Sequence, residues 1–334
     1  MRVLTLLLLL SGTCAPAATE IRDYTSVPGI RSANAVLWHD PGPVERLDLR
    51  YGAGGRRLLP RPPFTFLQED TSGSTPKVRV RDGAGREWVV KFGRESRSDT
   101  FGSRLAWAVG YYTEINYFVP NGVIRGVRRL KRARKSIDTD GRFTAGRFQL
   151  RAARPAYLSG VSWSWDHNPF VDTTQLNGLK VLMMLLSNWD DKDLDDARRR
   201  GANTAIYRDG RRYLFFIDDW GGSMGHWGHY LARSKWDCVD FYGESAQFVR
   251  GIDRGEIQWG YRGTHTGRMT TAISRADVGW LLRYLGRLSD DQLDAGLRAS
   301  GATPDEAYSY TKALRMRIRQ LQDIARGRMV ARGK

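Results

Sequence analysis

With 334 residues, 41% of them hydrophobic and 27% charged, the chain can bury the core of one large domain or two modest ones, which argues against wholesale disorder. Lys and Arg outnumber Asp and Glu by 53 to 36, a net charge of +17 that suits anionic partners such as nucleotides, acidic polymers and anionic lipid. No nucleic-acid motif accompanies that charge, so no nucleic-acid partner is expected, and no segment beyond the N-terminus suggests a membrane span.

The first residues, MRVLTLLLLLSGTCAPAATE, combine Arg2, an apolar run from Val3 to Leu10 and an A-x-A exit at Ala15-Pro16-Ala17. This is the pattern of a signal peptide over residues 1–18, and the expectation is an exported protein, periplasmic or secreted. Thr13 fits poorly before a lipid-bearing Cys14, and cleavage past Cys14 leaves Cys238 with no partner for a disulfide. Residues 19–60, with clusters such as HDPGPVE, read as an irregular leader. Residues 61–155 read as β-rich: KVRVRDGAGREWVVKFG alternates Val78 and Val80, turns at Asp82–Gly85 and returns through EWVVKF. A helix with Ser98 as its N-cap follows. RGVRRLKRARKS, residues 125–136, reads as a solvated basic surface. Residues 156–330 read as mainly helical and Trp-rich. TQLNGLKVLMMLLSNW predicts a buried helix, apolar around most of its circumference. NTAIY, RDGR and RYLFFID predict a second hairpin, and SRADVGWLLRYLGRLSDDQLDAGL and PDEAYSYTKALRMRIRQLQDI predict amphipathic helices. The fold class is α+β, strands first and helices later.

Five aspartates, at 190, 191, 193, 195 and 196, follow the buried helix. Folding the second hairpin back brings Asn203 within about 5–10 Å of Asp218 and Asp219, and the acids around Asp190 feed into the same end. Asp190, Asn203 and Asp219 can then converge in an oxygen-rich site suited to Mg²⁺ or Mn²⁺ rather than zinc. The glycines of DWGGSMG permit close backbone approach. EDTSGSTPK, residues 69–77, can present N–H groups and hydroxyls to phosphates, although it lacks Walker spacing. Lys91 stands in an otherwise apolar strand, where a buried lysine needs a partner. Each feature has a plainer reading: turn chemistry for Asp218-Asp219, solvated helix ends for the acids beside ARRR, and an exposed edge for Lys91. His226 and His229 have H-x-x-H spacing without a clear third ligand, so zinc is not expected.

Taken in order, these parts resemble an atypical protein-kinase-like fold: phosphate loop, strand lysine, helix, basic connector, buried helix, Asp-bearing loop, hairpin and Asp-x-Gly. SGSTPK is similar to the S-G-x-x-P-K phosphate loop of HipA-type bacterial kinases, NWDDKD looks like a catalytic loop, and DWG stands where D-F-G would be. The parts also resemble the secretory-pathway kinase group, and the stretch from about residue 66 to 325 resembles a family of exported bacterial proteins of this type with EDTSGSTPK, SRLAWAVGY, NPF, NGLKV, NWDDKD and DWGGSMG as hallmarks. The resemblance implies two lobes, β-rich over 61–155 and mainly helical over 156–330, with ATP and Mg²⁺ or Mn²⁺ as cofactors. It implies that Ser72, Gly73, Ser74, Thr75 and Lys77 cradle the nucleotide and that Lys91 contacts its α/β-phosphates. Asp99 would pair with Lys91 in place of the usual Glu, with Glu95 and Glu114 as alternates. Asp190 would accept the proton of the attacking hydroxyl and Lys192 would stabilise the transferring phosphoryl group. Asn203 and Asp219 would hold the metals, with Asp195 and Asp218 as alternates, and LDDARRRGA would be an insertion.

Four functions compete. The first is phosphoryl transfer from ATP to a hydroxyl of an unidentified protein, small molecule or glycan. Export opposes it, because ATP is scarce outside the bacterial cytoplasm. The second is a nucleotide- or metal-binding pseudokinase, favoured by Asp99 in place of Glu and by the displaced Asn203. The third is an exported glycoside hydrolase with Asp190 and Asp219 as its acid–base pair. The fourth is a polyanion-binding structural protein with salt-sensitive affinity.

Overall fold

The computed structural model describes residues 20–71, 75–200 and 202–328. The expected signal peptide with Cys14, and Ser72, Gly73 and Ser74 of the expected phosphate loop, lie outside the described residues. Residues 20–60 are not irregular throughout. They hold β1 (Arg22–Asp23), β2 (Ala35–Val36) and short 3₁₀ turns. β1 pairs in parallel with Val161–Ser162, and β2 pairs in parallel with Tyr213–Leu214, so the leader is stitched to the C-terminal half.

The β-rich region closes into a barrel. β3 (Phe64–Asp70), β4 (Lys77–Arg81) and β5 (Glu87–Phe92) lead into α1 (Glu95–Ala108), and β6 (Asn116–Arg125) and β7 (Arg142–Leu150) follow. The order is β3-β4-β5-β7-β6, sealed by parallel pairing of Phe64 with Ile124. Asp82 makes the expected turn, its Oδ1 accepting the N–H groups of Ala84 and Arg86 at 2.9 Å. Alternation then sends Trp88, Val90 and Phe92 into the barrel with Val78, Val80 and Phe148. Lys91, one residue out of phase, faces α1. Gly93, at φ +100°, turns the chain straight from strand into helix. α1 therefore begins at Glu95, and Ser98 is not its cap but a buried interior residue.

The C-terminal half is less purely helical than its sequence suggests. β8 (Ala156–Tyr157) and β9 (Val161–Ser162) precede α2 (Thr174–Leu185), whose cap Thr173 accepts the N–H of Leu176 at 3.2 Å. α3 (Leu194–Arg200) leads to the expected hairpin, β10 (Thr204–Asp209) and β11 (Arg212–Ile217), in which Thr204 lies opposite Ile217. With β2 and β8 it forms a four-stranded sheet. Two further hairpins went unread in the sequence: β12 (Trp227–His229) with β13 (Ala232–Arg233), and, after α4 (Cys238–Ser245), β14 (Val249–Asp253) with β15 (Glu256–Trp259). The first is only three and two residues long, and the second, although Ile257 and Trp259 alternate with polar neighbours, spans only five and four residues. α5 (Thr266–Thr270), α6 (Arg275–Leu285), α7 (Asp290–Arg298) and α8 (Pro304–Ala325) complete the chain. Among the described residues no helix is long and apolar enough to cross a membrane.

Two cores result. One fills the barrel, and the other joins α1, α2 and the C-terminal helices. Arg317 on α8, 1% exposed, fixes the end of α2. It donates to the Leu185 carbonyl at 2.9 Å, to Ser187 Oγ at 2.7 Å and to the Phe241 carbonyl at 3.0 Å. The first of these bonds satisfies a carbonyl that the C-terminus of α2 leaves open. The segment after α2 therefore starts from a fixed point.

α1 approaches the 219–222 segment through Gly102. A Cβ there would lie 2.6 Å from the Cβ of Trp220. Helix propensity alone favours Ala over Gly by about 1 kcal/mol, while overpacking a tight contact costs about 1–3 kcal/mol. Gly102→Ala should therefore lower the unfolding free energy in urea, by up to about 2 kcal/mol. A net gain would show that the contact has room to relax.

Candidate active site

Lys91 is 8% exposed and sits among three carboxylates. Its Nζ lies 3.0 Å from Asp99 Oδ2, 3.2 Å from Glu95 Oε2 and 3.3 Å from Asp219 Oδ2. Burial pulls its basicity down, but Asp219, Asp99 and Glu95 outweigh that and hold it well above the ordinary lysine value. The solvent-facing reading of Lys91 is thereby overturned. Two candidate partners, Asp99 and Glu95, are both used. Glu95 also accepts from Thr75 Oγ1 at 2.8 Å and pairs with Lys235. The other alternate, Glu114, does not reach Lys91.

Asp99 is fully buried and has partners from three places in the chain. Besides Lys91, Arg147 Nη1 on β7 lies 3.4 Å from its Oδ2, and the N–H of Trp220 donates to Oδ1 at 2.8 Å. The register explains Arg147, which stands directly opposite Lys91 on the neighbouring strand. Arg147 also lies 3.6 Å from the buried Glu114. Burial raises the Asp99 pKa to about 6 despite both cations. Lys77 lies opposite Lys91 on its other side and has no carboxylate partner among the described residues.

The second half of the site is the 188–193 segment. Asn188 is fully buried; its Nδ2 donates to the Asp219 carbonyl at 3.3 Å, and its Oδ1 accepts the Asp190 N–H at 3.3 Å. The Trp189 N–H reaches the Gly222 carbonyl at 3.2 Å, while Tyr261 Oη donates to the Asn188 carbonyl at 2.6 Å. Across this segment, Lys192 Nζ lies 3.3 Å from Asp190 Oδ2 and 3.0 Å from Asn203 Oδ1. Asn203 Nδ2 in turn donates to the Asp190 carbonyl at 2.5 Å. At the hairpin base the N–H groups of Asp218 and Asp219 reach the Asn203 carbonyl at 2.8 and 3.4 Å.

Asn203, not Asp195, thus joins Asp190 and Lys192. Asp195 is exposed and pairs with Arg198 at 3.2 Å. Asp219, not Asp218, faces Lys91. Burial pushes the Asp219 carboxyl up, but Lys91, the Gly221 N–H at 2.7 Å, Lys192 and Arg147 hold it well below the usual carboxylate range. Asp218 instead interacts with Glu114. Sequence reading missed Arg147 and Lys235, whose carboxylate partners are distant along the chain, and Asn188, which bonds the distant Asp219 as well as its neighbour Asp190. It also missed a group formed by Asp193, Asp196 and His265, whose ligand atoms lie within 4.8 Å of one another and could hold a metal ion. Within it, His265 Nε2 lies 2.5 Å from Asp196 and Arg268 lies 3.3 Å from Asp193. His226 and His229 do not form a pair of ligands: His226 bonds Glu244 at 2.6 Å, and His229 accepts from the Leu231 N–H.

Compared with known proteins, the chain matches no family model and no curated protein.

Two predictions follow from the buried charges. Arg147→Met leaves Asp99 short of a cation and Glu114 without one, and should cost about 3–5 kcal/mol in chemical denaturation. Arg147→Lys should recover part of that loss, since it restores the charge but not the fork. Asp191 is 1% exposed; its Oδ1 accepts the His265 N–H at 3.0 Å and its Oδ2 has no hydrogen bond. Burial raises its pKa to about 7. The folded state therefore keeps this proton longer than the unfolded chain, whose aspartates titrate near about 3.9. Stability from this group is full below that value and is lost as pH rises to about 7. Asp191→Asn should flatten the pH dependence between about pH 4 and 7 by about 2–4 kcal/mol. Parallel slopes in mutant and wild type would reject the assignment.

Proposed function

We propose that this protein is an atypical kinase-like phosphotransferase that moves the γ-phosphoryl group of ATP to a hydroxyl acceptor. One observation carries the reading. A lysine of the barrel, an aspartate of the adjoining helix and the aspartate of an Asp-x-Gly segment meet within 3.0–3.3 Å of a single ammonium group. Beside them Asp190, Lys192 and Asn203 form a second hydrogen-bonded group. In this reading the barrel and the helical half are the two lobes, and the site lies where α1, the 188–193 segment and the hairpin base converge.

The residues suit the chemistry. Lys77 and Lys91, side by side on one face, suit the phosphates of a nucleotide, and Thr75 sits at the edge of the same group. Asp219 and Asn203 offer oxygens that already face ammonium groups, 3.3 Å from Lys91 and 3.0 Å from Lys192. Such a set fits Mg²⁺ or Mn²⁺, which would neutralise phosphate charge there. Asp190 accepts the proton of the acceptor hydroxyl as the new O–P bond forms and the bond to the leaving phosphate oxygen breaks. Lys192, held by Asp190 and Asn203, places positive charge where the transferring oxygens gather. A glycoside hydrolase built on Asp190 and Asp219 would give Lys91 no role, although Lys91 is the centre of the cluster.

The test is incubation of the chain with γ-labelled ATP and Mg²⁺ or Mn²⁺, followed by labelling of the protein and of added acceptors. Asp190→Ala and Asp219→Ala should each reduce transfer about 100-fold or more, and Lys91→Ala should silence it. Transfer that survives both aspartate changes would reject these roles. Hydrolysis of glycosides that survives Lys91→Ala would favour the hydrolase.

A further inference from the structure

α2 is apolar almost throughout, yet it carries Lys180 with 8% exposure. Among the described residues this ammonium group has no hydrogen bond and no ion pair, although buried lysines ordinarily have one or reach bulk water. It lines a cavity of about 180 Å³, whose walls include Trp165, Asp166, Asp172, Asn177 and Arg268. Burial depresses the basicity of Lys180, and Asp172 and Asp166 act against that from within the cavity wall.

The other charges of the cavity fall into two kinds. Asp166 and Arg268 neutralise each other at 3.5 Å. Asp172, at the exposed rim with φ +63°, has no hydrogen bond or ion pair among the described residues. An unpaired cation inside and an unpaired carboxylate at the mouth therefore face one small space, with the buried Trp165 as an apolar wall. At roughly 30 Å³ per water, the volume is that of about six waters, which suits a molecule of roughly five to ten heavy atoms.

We propose that this cavity binds a small organic carboxylate bearing a hydroxyl or amino group, with its carboxylate on Lys180 and its donor toward Asp172. Arg268, in the wall of the cavity, also pairs with Asp193 at 3.3 Å. The inference does not depend on phosphoryl transfer, because binding alone tests it.

Glycolate, acetate and ethylene glycol serve as probes of the full chain at constant ionic strength. Glycolate should raise Tm with the logarithm of its concentration above Kd, by about 2 °C at tenfold excess over Kd. Acetate should do so more weakly, and ethylene glycol not at all. Lys180→Met should fold as well as wild type or better and lose both shifts, and Asp172→Asn should keep the acetate shift while losing the advantage of glycolate. Saturation-transfer NMR on the wild-type chain reads binding without any variant, and the glycolate methylene protons should receive magnetisation from the protein. Absence of both a glycolate-dependent Tm shift and magnetisation transfer, or a glycolate shift unchanged in Lys180→Met, would overturn the proposal.

Discussion

Asp99 is the constraint on which the rest of the site depends. A carboxylate removed from water is tolerated only where cations and N–H donors replace the lost hydration. Its partners come from β5, from β7 and from the backbone of Trp220, so a displacement of any one leaves the others facing an uncompensated charge. The barrel, the helix beside it and the base of the second hairpin are therefore held to one another by charge as well as by apolar contact. Ser98 Oγ, donating to the Gly221 carbonyl at 3.1 Å, and the close approach of Gly102 to Trp220 reinforce the same junction. α1 is rich in small polar residues for this reason. Its inner face meets backbone and charged groups, and bulky aliphatic side chains would hold those groups apart.

The 188–193 segment obeys the same logic at a smaller scale. Arg317 fixes where α2 stops, and Asn188 uses both ends of its amide to join Asp219 to Asp190. Two neighbouring aspartates then diverge. Asp190 meets Lys192, while Asp191 is buried and accepts the His265 N–H. Backbone direction thus gives two identical side chains different surroundings: one lies beside the Lys192 ammonium group, and the other anchors the 261–265 segment.

Much of this was legible in the sequence where the signal was local or periodic. The alternation of Val78 and Val80 and the Asp82 turn gave the first hairpin, and RDGR between apolar runs gave the second. Once that second hairpin is folded, strand spacing alone draws Asn203 to Asp219. Lys91 was conspicuous because it interrupts an apolar strand. Other features had no local signal. The parallel β3–β6 seam that closes the barrel joins residues far apart in the chain. Arg147 reads as an ordinary polar strand residue until register sets it beside Lys91. Ser98 looked like a cap because Ser before an apolar run is one, but Gly93 let the helix begin earlier. Lys180 could have been singled out by the reasoning applied to Lys91, since it too interrupts an apolar run.

The gathering of acids in a chain of net charge +17 has an electrostatic reading. Within the site Lys91, Arg147, Lys192 and Lys235 stand against Glu95, Asp99, Glu114, Asp190 and Asp219, so four cations meet five carboxylates. The cluster is close to neutral within itself, while the chain as a whole is strongly basic. On the proposed phosphotransferase reading, a bare polyphosphate would be drawn by the net positive charge of the chain and repelled by the innermost carboxylates. Accompanied by a divalent cation, it would meet carboxylate oxygens with positive charge and Lys77 and Lys91 with negative charge. The same ammonium groups that now neutralise the carboxylates would then turn part of their hydrogen bonding to phosphate. Such an exchange needs cations that are shared rather than locked to one partner, and Lys91, with three carboxylates at nearly equal distances, is held in that way.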